Sequence, residues 1–275
     1  MPAKKRERWL PGVFAVMLVI VCAIVFSLAD IRMTERKGSD KKDGKLTVNA
    51  GHADLGYFMA KGPKGNNRMK LTVESGGTKL QYDINSDGEY EVFPLQLGKA
   101  TYTITLWRQV DGKKYGKIGQ IKITAKMKDE LNCFLYPNQY VNYTEKTPCV
   151  LKAAELCEGM TDQAEIFRTI KAYILKNFKY DFAKSLKVAN STGVLPDIDY
   201  CWDNGKGICQ DLSAMTCAML RSQGVPARLI IGQLGSGTAH AWVLAVVNGE
   251  DVFFDPTAEL NASSKSETYT MLRWY

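Results

Sequence analysis

The dipeptide Asn248-Gly249 constrains this chain more tightly than any other pair of residues. It separates Thr238–Val247 from Val252–Asp255, two stretches of strand character. Asn-Gly suits a two-residue hairpin turn because both central positions need positive φ. Such a turn pairs Val247 with Glu250 and therefore Trp242 with Asp255. His240 lies two residues from Trp242, so period-two alternation puts it on the same face, diagonal to Asp255. Diagonal neighbours sit about 7–8 Å apart at Cα, within the joint reach of an imidazole and a carboxylate. A four-residue loop would move the pairing to Leu244 and keep the face.

That face matters because the 275 residues contain two His, His52 and His240. Among the seven Cys, Cys209 stands apart. Gly205-Lys206-Gly207 precedes it, and a helix from Cys209 to Gln223 follows, stopped by Gly224 and Pro226. Leu212, Met215, Ala218, Met219 and Leu220 make that helix apolar on most sides, hence central and buried. A thiol at its start meets unpaired N–H groups and the positive end of the helix dipole, which favour thiolate. The same amides can donate to an oxyanion. Cys217, two turns deeper, reads as an inert core thiol. Cys209, His240 and Asp255 are thus the candidate nucleophile, base and orienting acid. On the residues alone, the alternative of core thiol, satisfied His and strand-end Asp stays open.

Tyr180, Tyr200, Trp202 and Trp242 are candidate groove residues, with plain aromatic packing as the alternative. No metal or cofactor is expected. Asp83–Gly88 imitates the first half of a calcium loop, but its twelfth position is Pro94, and a hairpin turn accounts for it better. Gly232, Gly235 and Gly237 lie between two strands rather than before a helix, so they read as a flexible loop and not a phosphate cradle. Cys133 and Cys149 are the candidate pair for a disulfide.

Residues 46–127 carry short alternating segments broken by Gly62-Pro63, Gly76-Gly77, Asp87-Gly88 and Asp111-Gly112, the pattern of a small β-sandwich. In Thr101–Trp107, Tyr102, Ile104 and Leu106 face one way. Residues 128–275 form the second domain. Thr161 is placed to cap a helix over Asp162–Phe178, a long loop spans 183–206, and strands follow the Cys209 helix. Helices first and an antiparallel sheet second make an α+β domain.

Leu195-Pro196-Asp197-Ile198-Asp199, Gly205-Lys206-Gly207-Ile208-Cys209, the stretch Ala218–Arg228, Ala239-His240-Ala241-Trp242 and Asp255-Pro256-Thr257 together resemble the core of bacterial transglutaminase-like domains. The resemblance covers about residues 160–260. It implies a papain-like α+β fold with Cys209 as nucleophile, His240 as base and Asp255 as orienting acid. Gln210, Leu212 and Val243 depart from the residues common in that family.

At the other end, Trp9–Ala29 is a run of 21 uncharged residues between Arg8 and Asp30. As a helix it would reach about 31 Å, enough to cross a bilayer core. Ser27-Leu28-Ala29 also fits a signal-peptidase site, but the run is longer than a usual signal core, so an anchor is expected. Residues 1–8 then form a cytoplasmic tail, 30–45 a solvated linker, and the rest is extracytoplasmic. The net charge of +7 belongs to the N-terminal end: residues 46–275 carry 26 bases and 24 acids. That balance excludes a nucleic-acid partner.

The expected activity is cysteine-dependent acyl transfer on a Gln side chain or peptide amide, cell-wall peptides included, through a thioester that passes to an amine or to water. The rival reading is a non-catalytic surface-binding module that uses the same fold as scaffold.

Overall fold

The computed structural model describes residues 37–189, 191, 193–261 and 268–275. The span read as a membrane anchor, residues 9–29, lies outside these. Among the described residues no helix is long and apolar enough to cross a membrane.

The first part is built from β1 (Asp40–Asp43), β2 (Leu46–Asn49), β3 (Tyr57–Lys61), β4 (Met69–Ser75), β5 (Thr78–Ile84), β6 (Glu91–Pro94), β7 (Thr101–Asp111) and β8 (Lys114–Thr124). They form two four-stranded antiparallel sheets, ordered β1-β2-β3-β6 and β5-β4-β7-β8. Alternation along β7 sends Tyr102, Ile104 and Leu106 into a core shared with Leu46, Val48 and Phe58 of the other sheet. Each such side chain contributes about 1.5–3 kcal/mol on burial. The stretch read as linker is corrected by β1, which pairs with β2. All four β1 residues are exposed, so no apolar periodicity marked the strand. A charged edge of this kind also discourages pairing with other chains.

After a 3₁₀ turn at Glu130–Phe134 come α1 (Pro148–Leu156), α2 (Gln163–Asn177), β9 (Lys179–Tyr180), α3 (Phe182–Val188), α4 (Ile198–Asn204), β10 (Lys206–Gly207), α5 (Cys209–Ser222), β11 (Ala227–Leu234), β12 (Ala239–Val247), β13 (Glu250–Phe254), α6 (Pro256–Leu260) and β14 (Tyr269–Trp274). A third four-stranded sheet is antiparallel in the order β13-β12-β11-β14. The central helix α5 is buried from Asp211 to Ser222 and packs on β11 and β12. Mixed helix and antiparallel sheet is the architecture expected of this region.

Several readings change. The cap of α2 is Asp162, whose carboxylate accepts Ala164 N–H at 3.1 Å, and not Thr161. The loop over 183–206 contains α4 and overlaps α3 and β10, short elements with too few apolar repeats to register in the pattern. Cys133 and Cys149 are free thiols in two different cores, so they form no bridge. Gly232 is strand, not loop. It lies at the β11–β14 irregularity, where a Cβ would run into the Thr270 carbonyl and the Trp242 ring.

Candidate active site

Asn248 and Gly249 take φ of 52° and 87°, the conformation their turn requires. Val247 pairs with Glu250, and the ladder continues to Val243 opposite Phe254. One step further the chain leaves the sheet, and Asp255 becomes the N-cap of α6. Its Oδ1 accepts Thr257 N–H at 2.9 Å and Ala258 N–H at 3.0 Å. Its Oδ2 faces His240 Nε2 at 2.7 Å. The same Oδ2 accepts the Tyr269 hydroxyl at 2.8 Å.

Asp255 is 2% exposed, which alone would raise its pKa. The hydrogen bonds from His240, Ala258 and Tyr269 outweigh burial and hold the carboxyl below its ordinary value. Burial likewise works against a charged His240. Hydrogen bonds to Asp255 and Cys209, with the charges of both, overcome it and lift the imidazole to about 9. With Nε2 turned to Asp255, Nδ1 is the ring nitrogen left for the thiol.

Cys209 is the first residue of α5 and is half-buried. The turn before it is pinned by Asp211, itself 0% exposed. Asp211 Oδ2 accepts Ile208 N–H at 3.0 Å and Oδ1 accepts Asp197 N–H at 2.9 Å. Lys184 Nζ compensates the charge at 2.7 Å from Oδ2. Gly207 has no room for a side chain: a Cβ would lie 2.7 Å from Cys201 Sγ and 2.8 Å from the Asp211 Cβ. Ser213 Oγ donates to the Ala241 carbonyl at 3.2 Å, tying α5 to the strand that carries His240.

Residues 152–256 match the family model of the transglutaminase-like superfamily. Over that stretch the chain is similar to transglutaminase-like domains. A provisionally named cysteine protease from Cytophaga hutchinsonii is 14% identical, covering 80% of this chain and 91% of that one, with a TM-score of 0.39. A structure described as a TGase is 18% identical over 40% of this chain and 30% of that one, at 0.35. Red sea bream transglutaminase is 13% identical over 85% of this chain and 51% of its own, at 0.29. No curated protein matches the chain closely enough to count.

Within the matched stretch, Trp242 is buried beside the site, its ring 6.3 Å from that of His240. Tyr180 is half-buried and donates to Ser185 Oγ at 3.1 Å; burial raises its phenol, with Cys209 among the contributing charges. Tyr200 and Trp202 are engaged elsewhere. The Tyr200 hydroxyl donates to Asp181 Oδ2 at 2.7 Å, and Trp202 packs at 6.3 Å from Tyr173 and 6.0 Å from Phe178. No described contact joins either to Cys209, His240 or Asp255. Asp181 also accepts Lys184 N–H, which with Tyr200 and Lys206 holds its carboxyl down to about 2.

Tyr269, Asp211, Lys184 and Asp181 were not anticipated. Tyr269 had no local signal, being brought in by β14, whose partner β11 lies far back in the sequence. Asp211, at the third position of its helix, had one in its capping spacing. Burial drives the Cys133, Cys149 and Cys217 thiols up to about 12 and Cys157 to about 11. Among the described residues no group of three or more His, Cys, Asp or Glu is arranged to hold a metal.

Proposed function

We propose that Cys209 is the nucleophile of a cysteine-dependent acyl transfer on protein or peptide amides, with His240 as acid–base and Asp255 as its orienting carboxylate. The observation that carries this reading is the 2.7 Å contact between His240 Nε2 and Asp255 Oδ2, with the half-buried Cys209 near enough to the same imidazole to help raise its pKa.

In the first half-reaction, the thiolate attacks the amide carbonyl and forms a C–S bond. Backbone N–H groups at the start of α5 receive the oxyanion. The imidazolium gives its proton to the departing nitrogen, the C–N bond breaks, and ammonia or an amine leaves a thioester. An incoming amine or water then loses a proton to His240 and attacks. The C–S bond breaks and the thiolate is restored. Whether the product is an isopeptide or a carboxylic acid depends on how well the groove excludes water.

The chain would act outside the cytoplasm, held by residues 9–29 as an anchor, on peptide substrates of the cell surface. Incorporation of a fluorescent amine into a glutamine-containing peptide, run beside an ammonia-release assay, tests the chemistry. Activity in either that disappears in Cys209→Ala is the expected result. Equal activity in Cys209→Ala, or none in the parent protein with glutamine and peptide-bond substrates, would overturn it. Protease shaving of intact cells tests the location, since protection of residues 46–275 would place them inside.

A further inference from the structure

A cleft of about 650 Å³ lies between the β part and the C-terminal strand. On one side it is lined by every residue from Thr78 to Asp83 of β5, on the other by Leu272 to Tyr275 of β14 and its end. Consecutive residues of a strand point to opposite faces. A cleft that meets all of them therefore meets the strand's edge, as well as the sheet face that carries Lys70 of β4, Gln109 of β7 and Tyr115 of β8. Both edges are open: among the described residues β5 pairs only with β4, and β14 only with β11. Each thus presents unpaired backbone donors and acceptors, apart from the Asp83 and Trp274 carbonyls, which take the side-chain amides of Gln139 and Gln96.

The cleft is also charged. Arg68, Lys70, Lys79, Lys113 and Arg273 line it, against Asp83 as its one acidic side chain. Asp83 holds Arg68 at 3.2 Å and Glu74 holds Lys79 at 2.8 Å. Among the described residues no carboxylate pairs with Lys70, Lys113 or Arg273. Residues 46–275 are almost neutral, so this gathering of cations departs sharply from the average. The Lys70 ammonium stands 5.1 Å over the Tyr115 ring, and Leu272, which also lines the cleft, is 53% exposed.

The geometry points to a docking site for an extended, acidic polypeptide segment, laid as an added strand along the open edges of β5 and β14, its carboxylates toward Lys70 and Arg273, with Lys113 at the far rim, and its apolar side chains toward Leu272. Unpaired strand edges select an extended backbone, and the cations select acidic side chains. The chain's own residues 1–36, rich in Lys and Arg, carry the wrong charge to fill it. This site is separate from the chemistry proposed at Cys209 and does not depend on it.

Fluorescence anisotropy with the full chain in detergent micelles tests the assignment. The probe is a labelled ten-residue peptide alternating Glu and Val. Its controls are the same peptide with Lys for Glu, a version N-methylated at alternate residues, and inorganic polyphosphate. Saturable binding of the Glu–Val peptide alone is expected, weakened roughly tenfold or more by Lys70→Glu with Arg273→Glu, and also by the exposed turn variant Lys113→Glu, at unchanged melting temperature. Absence of binding, equal binding of the N-methylated peptide, or equally effective competition by polyphosphate would each overturn it. So would a doubled particle mass showing that a second copy of the chain fills the cleft.

Discussion

The Tyr269 hydroxyl donates to Asp255 Oδ2 at 2.8 Å, the same oxygen that faces His240 Nε2 at 2.7 Å. The phenol thus shares the carboxylate charge that holds the imidazole. Tyr269→Phe keeps the ring against Trp242 and Phe253, at 5.1 and 4.9 Å, and removes only the donor. The loss of about 1 kcal/mol should slow acyl transfer roughly five-fold with little change in melting temperature. With more of the carboxylate charge left to the imidazolium, the His240 titration followed by NMR should move upward. A downward move would contradict this sharing.

The pH dependence follows from the same pair. The folded pKa of His240, about 9, lies above its ordinary 6.5. Its contribution to stability is therefore full below about 6.5 and is lost as the pH rises through about 9. Asp255 is lowered from 3.8, so its contribution is present above that value and is lost as the pH falls through its depressed folded pKa. Thermal melts from pH 3 to 10 should show both losses, with the alkaline one absent in His240→Ala. Asp255→Asn should bring the His240 titration down toward its ordinary value and cut amide turnover roughly 10²- to 10⁴-fold at neutral pH.

Thiol chemistry should be selective. Cys133, Cys149, Cys201 and Cys217 are buried with their pKa values pushed up, whereas Cys209 is half-buried beside His240. Under native conditions at pH 6–7, iodoacetamide should label Cys209 well before the others, as read by peptide mass mapping. A Cys209 rate no faster than that of a denatured thiol would count against an activated nucleophile.

Asp211 is a fully buried carboxylate outside the His240 pair. Asp211→Ala leaves Ile208 N–H, Asp197 N–H and the Lys184 ammonium without their acceptor. Removing one member of a buried ion pair costs about 3–5 kcal/mol, which for a domain of this size is a fall in melting temperature of roughly 10 °C. Calorimetry should show it. A double change with Lys184→Met should recover part of the loss, because no uncompensated charge then stays buried.

The two local parts of the site could be read from residues alone. Asn248-Gly249 determines its own turn through positive φ, and that turn sets a register from which the facing of His240 and Asp255 follows by counting. The start of α5 at Cys209 was equally legible, because apolar spacing and the preceding glycines are local properties. What the sequence could not supply was everything requiring two distant segments to meet. Whether Cys209 lies against His240 depends on how α5 packs on β12, through contacts such as Ser213 with Ala241. Tyr269 reaches Asp255 only because β14 returns to pair with β11, and β14 carries almost no buried side chain to announce itself. Tyr200 and Trp202 looked like groove residues by type, but Asp181, Tyr173 and Phe178 engage them first. Periodicity records which face of one element is buried. Which partner buries it is settled by packing and hydrogen-bond satisfaction across the whole fold, and only the tertiary structure expresses those.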